Sequence, residues 1–193
     1  MRRLALILGV LQLYAITCLA QQAVFELDPG KTTVQFTLGD VIHTVHGTFK
    51  AKSGKVMFDP SSGEASGEFV IDTTTGDTGN RTRDHKMHRE ILESEKYPEA
   101  SFTPTKVVGN VPASGDSSVQ VQGTFRLHGA DHPMTLTIPL QASGGGAVVA
   151  KLHFVIPYVD WGLKDPSNFI LRVSKQVEID ITAPGHYAPT NAQ

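Results

Sequence analysis

Cysteine is almost absent from this chain: the only one, Cys18, lies within the first 20 of 193 residues. Beyond that point the sequence offers no disulfide, no thiol nucleophile and no thiolate metal site. Apolar runs long enough to span a bilayer are lacking as well. The chain also has no GxSxG nucleophile motif, no HExxH zinc motif and no GxxxxGK[ST] phosphate-binding loop. These absences remove the commonest motif-based enzyme classes.

The first 20 residues have the pattern of a secretory signal peptide. Arg2 and Arg3 precede a short apolar stretch, and small residues stand where cleavage after Ala20 requires them. We therefore expect a protein that is exported to the periplasm or secreted. Loss of Arg2 and Arg3 changes the formal net charge from −2 to −4. A surface of that sign attracts neither nucleic acid nor anionic membranes, so we expect no nucleic-acid partner.

Alternation of apolar and polar residues dominates the rest of the chain. A period of two residues is typical of strands that bury one face. It predicts strands over residues 32–38, 41–51, 65–71, 119–127, 134–140, 152–156 and 169–181.

Short turns rich in glycine, proline, aspartate and serine separate these strands, as in an antiparallel meander. A sheet of about eight strands with one apolar face closes into a barrel or folds into a sandwich. Pro139 and Pro157 fall within strand patterns, which indicates edges or bulges there. We predict one domain over residues 21–183 and a flexible tail over residues 184–193.

One segment breaks the alternation. Asn80 is an acceptable N-cap for a helix over residues 81–92, on which Met87, Ile91 and Leu92 form a narrow apolar stripe. Tyr97-Pro98 then restarts an extended pattern. The spacing predicts one short helix, packed by its stripe against the sheet or across a barrel mouth.

This region of the sequence allows three chemical interpretations. Histidines of the helix and of a nearby turn could approach one another, but no ligand spacing supports a metal site. Arg81 and Arg83 follow a glycine-containing loop that could hold an anion, although no phosphate motif is present. Asp84 has no nucleophile beside it and is expected to fix the start of the helix. We expect no metal, no cofactor and no catalytic residue.

Several motifs together resemble the YceI-like family, over roughly residues 23–183. The resemblance is carried by Phe69-Val70-Ile71-Asp72-Thr73-Thr74-Thr75, Asp77-Thr78-Gly79-Asn80, Arg83-Asp84, Tyr97-Pro98-Glu99-Ala100-Ser101-Phe102, Val121 to Gly129, and His132-Pro133-Met134-Thr135-Leu136. The chain departs from the family at His46, where members usually have a basic residue, and around Trp161.

This resemblance implies an all-β fold, an extended antiparallel eight-stranded lipocalin-like β-barrel with one short helix. It also implies export, a homodimer in some members, and an apolar tunnel that binds a polyisoprenoid or a similar amphiphilic lipid, such as a quinone or fatty amide. At the helix and mouth, we expect Arg83, Asp84, Met87 and Ile91. The expected lining residues are Phe36, Phe49, Phe69, Ile71, Phe102, Phe125, Leu136, Ile138, Phe154, Ile156, Trp161 and Phe169.

Two alternatives stay open from the sequence. One is a hydrolase or isomerase that uses His85, His88 or His128 with Asp84. The other is a stress or interaction protein whose barrel is filled by its own side chains. Small residues on the inward face, such as Gly47 and Gly123, favour unfilled volume, but composition alone does not separate a cavity from a packed core.

Overall fold

A computed structural model of the chain describes residues 22–39, 44–169 and 172–190. These residues form a single antiparallel sheet with one short helix. The strands are β1 Gln22–Leu27, β2 Thr33–Gly39, β3 Thr44–Phe58, β4 Ala65–Asp77, β5 Glu99–Val108, β6 Ser114–Leu127, β7 Ala130–Ser143, β8 Ala147–Ile156 and β9 Val177–Thr190. Between β4 and β5, helix α1 (Arg81–Lys86) continues as a π-helical turn over Met87–Ile91.

The sheet closes on itself as an eight-stranded barrel. β1 and β2 together occupy one strand position in the barrel, because each of them pairs with β3 on one side and with β9 on the other. The two strands therefore act as one interrupted strand, bent at the turn that follows Asp28. All other neighbours are consecutive in sequence and antiparallel, from β3 round to β9. The predicted antiparallel eight-stranded barrel is confirmed.

Glycines on the inward face do not leave empty space, contrary to the expectation from composition. The ring of Phe36 lies against Gly47, where an added Cβ would come within 2.3 Å of Phe36 Cζ. Phe102 covers Gly123 in the same way, at 2.6 Å. The glycines therefore accommodate aromatic rings, and any cavity has to arise elsewhere.

The prediction of a flexible tail over residues 184–193 is wrong for residues 184–190. β9 runs to Thr190, and Gly185 to Thr190 pair with β1, for example Tyr187 opposite Phe25. Gly185 and Pro189 weaken the strand signal locally, but pairing with β1 along residues 185–190, and with β8 as far as His186, overrides it. Residues 191–193 lie outside the described residues, as do the expected signal peptide and Gln21.

The prediction that the last strand begins at residue 169 is also wrong. Residues 163–169 and 172–176 form a loop between β8 and β9, and β9 begins only at Val177. Asp165-Pro166-Ser167 lies within this loop and favours a turn, and the Asp165 carboxylate accepts a hydrogen bond from Ser167 N at 2.9 Å.

The helix starts where it was predicted. Asn80 is the N-cap, and its Oδ1 accepts a hydrogen bond from Arg83 N at 3.1 Å. Neither it nor any other helix in the described part of the chain has the length and apolar character needed to cross a membrane.

Substitution of Gly123 by alanine tests the close packing of the barrel wall. A Cβ there would lie 2.4 Å from Thr103 O and 3.0 Å from Pro104 Cα, which are backbone atoms and cannot rotate away. We expect G123A to lower the free energy of unfolding by about 1–3 kcal/mol. Urea unfolding measures the change.

Gly39 provides the control, because an added Cβ meets nothing within 4 Å there. G39A should stay within about 0.5 kcal/mol of the parent, as surface substitutions usually do. Equal losses in the two variants would contradict the packing argument.

Candidate functional site

The interior of the barrel contains two chambers. The upper chamber lies towards the end at which β1 begins, and its side chains surround about 1020 Å³ of space, part of which is open to solvent. The lower chamber lies towards the helix and surrounds about 800 Å³, also partly open to solvent. Ile71, Phe125 and Phe154 line both chambers, so these three side chains form a waist between them. The barrel is therefore not filled by its own side chains along its axis.

Most of the residues expected to line a tunnel do line these chambers. The upper chamber contains Phe69, Ile71, Phe102, Phe125, Leu136, Ile138 and Phe154. The lower chamber contains Phe36, Phe49, Ile71, Phe125, Phe154 and Ile156, together with Met87 and Ile91 of the helical segment.

Two of the expected lining residues lie elsewhere. The ring of Phe169 is fully exposed in the loop before β9, since no strand holds it against the barrel. Trp161 lies in the turn after β8 and packs against the core without lining either chamber. Its ring stacks on His132, with a centroid distance of 3.8 Å and an angle of 5° between the planes. The expectation that these two side chains line the lumen is corrected on this basis.

The helical segment forms part of the wall of the lower chamber. Met87, Ile91 and Leu92 face the lumen from this side. Gly76 of β4 allows the close approach, because Met87 and His88 both lie where a Cβ of that residue would be. His88 fixes the contact: its Nε2 lies 2.9 Å from Gly76 O and its Nδ1 lies 2.9 Å from Ser94 Oγ. Because a carbonyl oxygen only accepts, Nε2 carries the proton and donates it to Gly76.

Arg83 and Asp84 fix the loop that leads into the helix. Thr78 N donates to Asp84 Oδ1 at 2.9 Å, and the Thr78 hydroxyl donates to the same oxygen. Arg83 donates through Nε to Thr78 Oγ1 at 2.8 Å and through Nη2 to Thr78 O at 3.0 Å. Both side chains are thus engaged with the loop, and neither lines a chamber.

The hydroxyl groups of the lower chamber already have backbone partners. Thr73 Oγ1 donates to Tyr97 O at 2.6 Å, and Tyr158 OH donates to Ser174 O at 2.7 Å. Tyr158 is only 5% exposed. Burial, and secondarily the nearby Asp165 carboxylate, raises the pKa of the Tyr158 phenol to about 12. This phenol stays neutral at any physiological pH.

The histidines that an enzyme would need are held in structural contacts or exposed. Both ring nitrogens of His88 serve the helix contact described above, and His85 is exposed. His128 Nε2 lies 2.9 Å from Glu93 Oε2, and its ring packs on Tyr97. Within residues 22–39, 44–169 and 172–190, no group of three histidine, aspartate or glutamate side chains could hold a metal ion.

The His128-Gly129 pair has a backbone role. Both residues have positive φ, 52° and 78°, as the two-residue turn of a tight hairpin requires. They join β6 to β7, with Leu127 opposite Ala130.

Three residues that line the upper chamber were not predicted from the sequence. Phe25, Phe58 and Tyr187 line the upper chamber, and the last two rings pack 6.2 Å apart. Alternation within residues 22–27 and 52–58 was a usable signal for the first two. Tyr187 lay in the expected tail and had no local signal.

Comparisons with known proteins agree with this architecture. The YceI-like domain family matches residues 25–184. A UPF0312 protein of Pseudomonas syringae pv. tomato is 29% identical over 189 residues, which cover 94% of each chain. A polyisoprenoid binding domain from Saccharophagus degradans has a TM-score of 0.66 at 16% identity, covering 85% of this chain and 98% of its own. BcnA of Burkholderia cenocepacia has a TM-score of 0.65 at 21% identity, covering 82% and 98%. At these identities the two structures show a shared fold.

The raised pKa of Tyr158 makes stability depend on pH in the alkaline range. The unfolded phenol ionises near pH 10, whereas the folded one retains its proton to about pH 12. The folded state then binds more protons, so the free energy of unfolding falls as the pH rises through this window. The contribution is about 2–3 kcal/mol at most.

Tyr158→Phe should remove this part of the alkaline slope and also the highest step in a phenolate absorbance titration. Urea unfolding at several pH values between 10 and 12 measures the slope for both proteins. If the free energy of unfolding fell equally steeply with pH in the parent and in the variant, Tyr158 would not be the buried phenol.

Proposed function

This chain belongs to the YceI-like domain family, and we propose that it binds an amphiphilic lipid and sequesters or transports it. The ligand is a polyisoprenoid, a quinone or a fatty amide, held by its apolar chain inside the barrel. One observation carries the proposal: the lumen is walled by apolar side chains and offers almost no free hydrogen-bonding group. An apolar chain is the ligand that such a wall suits.

Burial alone supplies the affinity. Removal of each CH₂ group of a ligand from water contributes about 0.8 kcal/mol. A chain that passes the waist at Phe125 reaches both chambers and so buries more of its length than either chamber alone would allow. No catalytic group is needed, and we propose that the protein is not an enzyme.

The same wall excludes the polar end of the ligand. Inside the lower chamber, the hydroxyls of Thr73 and Tyr158 already donate to backbone carbonyls. A polar head drawn inside would lose hydrogen bonds with water, at about 1–3 kcal/mol for each unsatisfied group. We infer that the polar head of the ligand stays at a solvent-exposed end of the barrel lumen.

Similarity to known proteins supports the ligand class. The structure from Saccharophagus degradans is described as a polyisoprenoid binding domain, and this chain shares its fold over 98% of that domain. The two apolar chambers inside the barrel weigh against the alternative of a barrel filled by its own side chains.

Export completes the proposal. The first 20 residues have the sequence pattern of a signal peptide, with cleavage after Ala20, and this would deliver the carrier to the periplasm or the medium. N-terminal sequencing of the protein recovered from its host tests the cleavage site. The homodimer implied by the family resemblance stays part of the proposal, and sedimentation velocity measures it.

Filling the upper chamber should weaken lipid binding. Ala183 of β9 and Ala150 of β8 face each other and both line this chamber. In Ala183→Phe the new ring would occupy the space that the ligand chain needs. We expect the Kd for a fluorescent polyene lipid to rise at least about tenfold, which corresponds to 1.4 kcal/mol. Fluorescence titration at equilibrium measures it.

His186→Phe is the matched control, because His186 lies on the same strand as Ala183 and is exposed on the outside of the barrel. It should leave the Kd unchanged. Circular dichroism checks that both variants are folded. Equal affinity in A183F and the parent would place the ligand outside the lumen and refute the proposal.

A further inference from the structure

The seam between β7 and β8 is the least hydrogen-bonded in the barrel wall. Only three residue pairs join these strands, from Leu140 opposite Ala150 to Ala142 opposite Val148. By contrast, β7 pairs with β6 along its whole length, and β8 pairs with β9 at ten positions. Within the described residues, 130–139 of β7 and 151–156 of β8 are not paired with each other.

Proline accounts for the ends of this unpaired stretch. Pro139 directly precedes Leu140, the first residue of β7 that pairs with β8, and Pro157 directly follows β8. Proline has no N–H to donate, so it cannot extend a ladder of hydrogen bonds. The sequence predicted an edge or bulge at Pro139. In the structure, Pro139 is unpaired on the side of β7 that faces β8.

On the outside of the barrel, a shallow groove extends across β7, β8 and β9 and covers the same seam. Thr137 and Pro139 of β7 line one side of the groove, residues 151–153 of β8 lie along its middle, and residues 180–182 of β9 line the other side. Leu152 and Ile181 line this groove and also line the upper chamber. A single layer of side chains therefore separates solvent from the lumen at this place.

The lower part of the seam is closed by side chains in place of backbone hydrogen bonds. Trp161 stacks on His132 of β7 and packs 5.9 Å from Phe125 at the waist. His132 Nε2 is buried there without a hydrogen-bond partner among the described residues. A closed contact that leaves a buried polar atom unsatisfied is less stable than a fully bonded ladder.

We propose that the β7–β8 seam is a lateral portal through which the apolar chain of the ligand passes into the upper chamber, with Trp161 as its latch. The inference rests on the proposed lipid binding and adds the route. Sideways passage needs the separation of two strands that share few hydrogen bonds. The next shortest ladder, between β4 and β5, has four pairs, and all the other strand positions have more, so the barrel stays closed while the portal opens.

A disulfide across the seam tests the route. When the register of the three pairs is continued, Thr135 lies opposite Val155, and both are exposed on the outside. With Cys18→Ser, the introduced cysteines of T135C/V155C are the only thiols. We expect the oxidised protein to take up cis-parinaric acid about tenfold more slowly, since uptake requires the strands to part. Reduction should restore the rate.

In the matched control, one of the two cysteines is placed on β6, so that the disulfide crosses the fully paired seam between β6 and β7. Gln122 of β6 lies opposite Thr135, so Q122C/T135C locks β6 to β7 and leaves the portal free. Its oxidised form should take up the lipid at the parent rate. Stopped-flow fluorescence measures all rates, and mass spectrometry confirms each disulfide.

Each result is decisive. Parent-rate uptake by the oxidised T135C/V155C protein overturns the portal and leaves lipid binding intact. Absence of uptake by the reduced proteins overturns lipid binding itself. As a second variant, Trp161→Ala should speed both uptake and release several-fold with little change in Kd. Unchanged rates in that variant would overturn the role of Trp161 as the latch.

Discussion

Closure of the sheet by β9 is the constraint on which the rest of the structure depends. This strand pairs with β8 on one side and with both β1 and β2 on the other, so no long edge is left open at that position. A barrel of eight strands is wide enough either to fill with side chains or to hold one ligand. Here the glycines at 47 and 123 draw phenylalanine rings against the wall, and two chambers remain along the axis.

The chemistry of the lumen follows from how its few polar groups are satisfied. Thr73 and Tyr158 donate to backbone carbonyls, so neither has a hydrogen left for a ligand. The helix contributes apolar side chains to the lower chamber, while His88, Arg83 and Asp84 hold it in place through the β4 end and the loop before the helix. Residues that looked like acid–base groups in the sequence therefore have positional roles, and the site suits binding by burial.

Local patterns predicted the fold well where local physics decides it. Alternation located most strands, and Asn80 with the stripe of Met87 and Ile91 located the helix. What the pattern could not predict depends on partners distant in sequence. The strand through Tyr187 exists because β1 lies beside it, and Phe169 is exposed because its alternating neighbourhood has no strand to join. Trp161 has the composition of a lining residue, but a turn places it against His132. The chambers themselves depend on how rings pack over glycines, which composition does not encode.

The most direct test of this account is native mass spectrometry of the protein purified from its host, followed by organic extraction of whatever is bound. The account predicts one amphiphilic lipid per barrel, retained in the native protein and released on unfolding. A barrel that is recovered empty, and that also fails to bind polyisoprenoids, quinones or fatty amides when they are added, would contradict it.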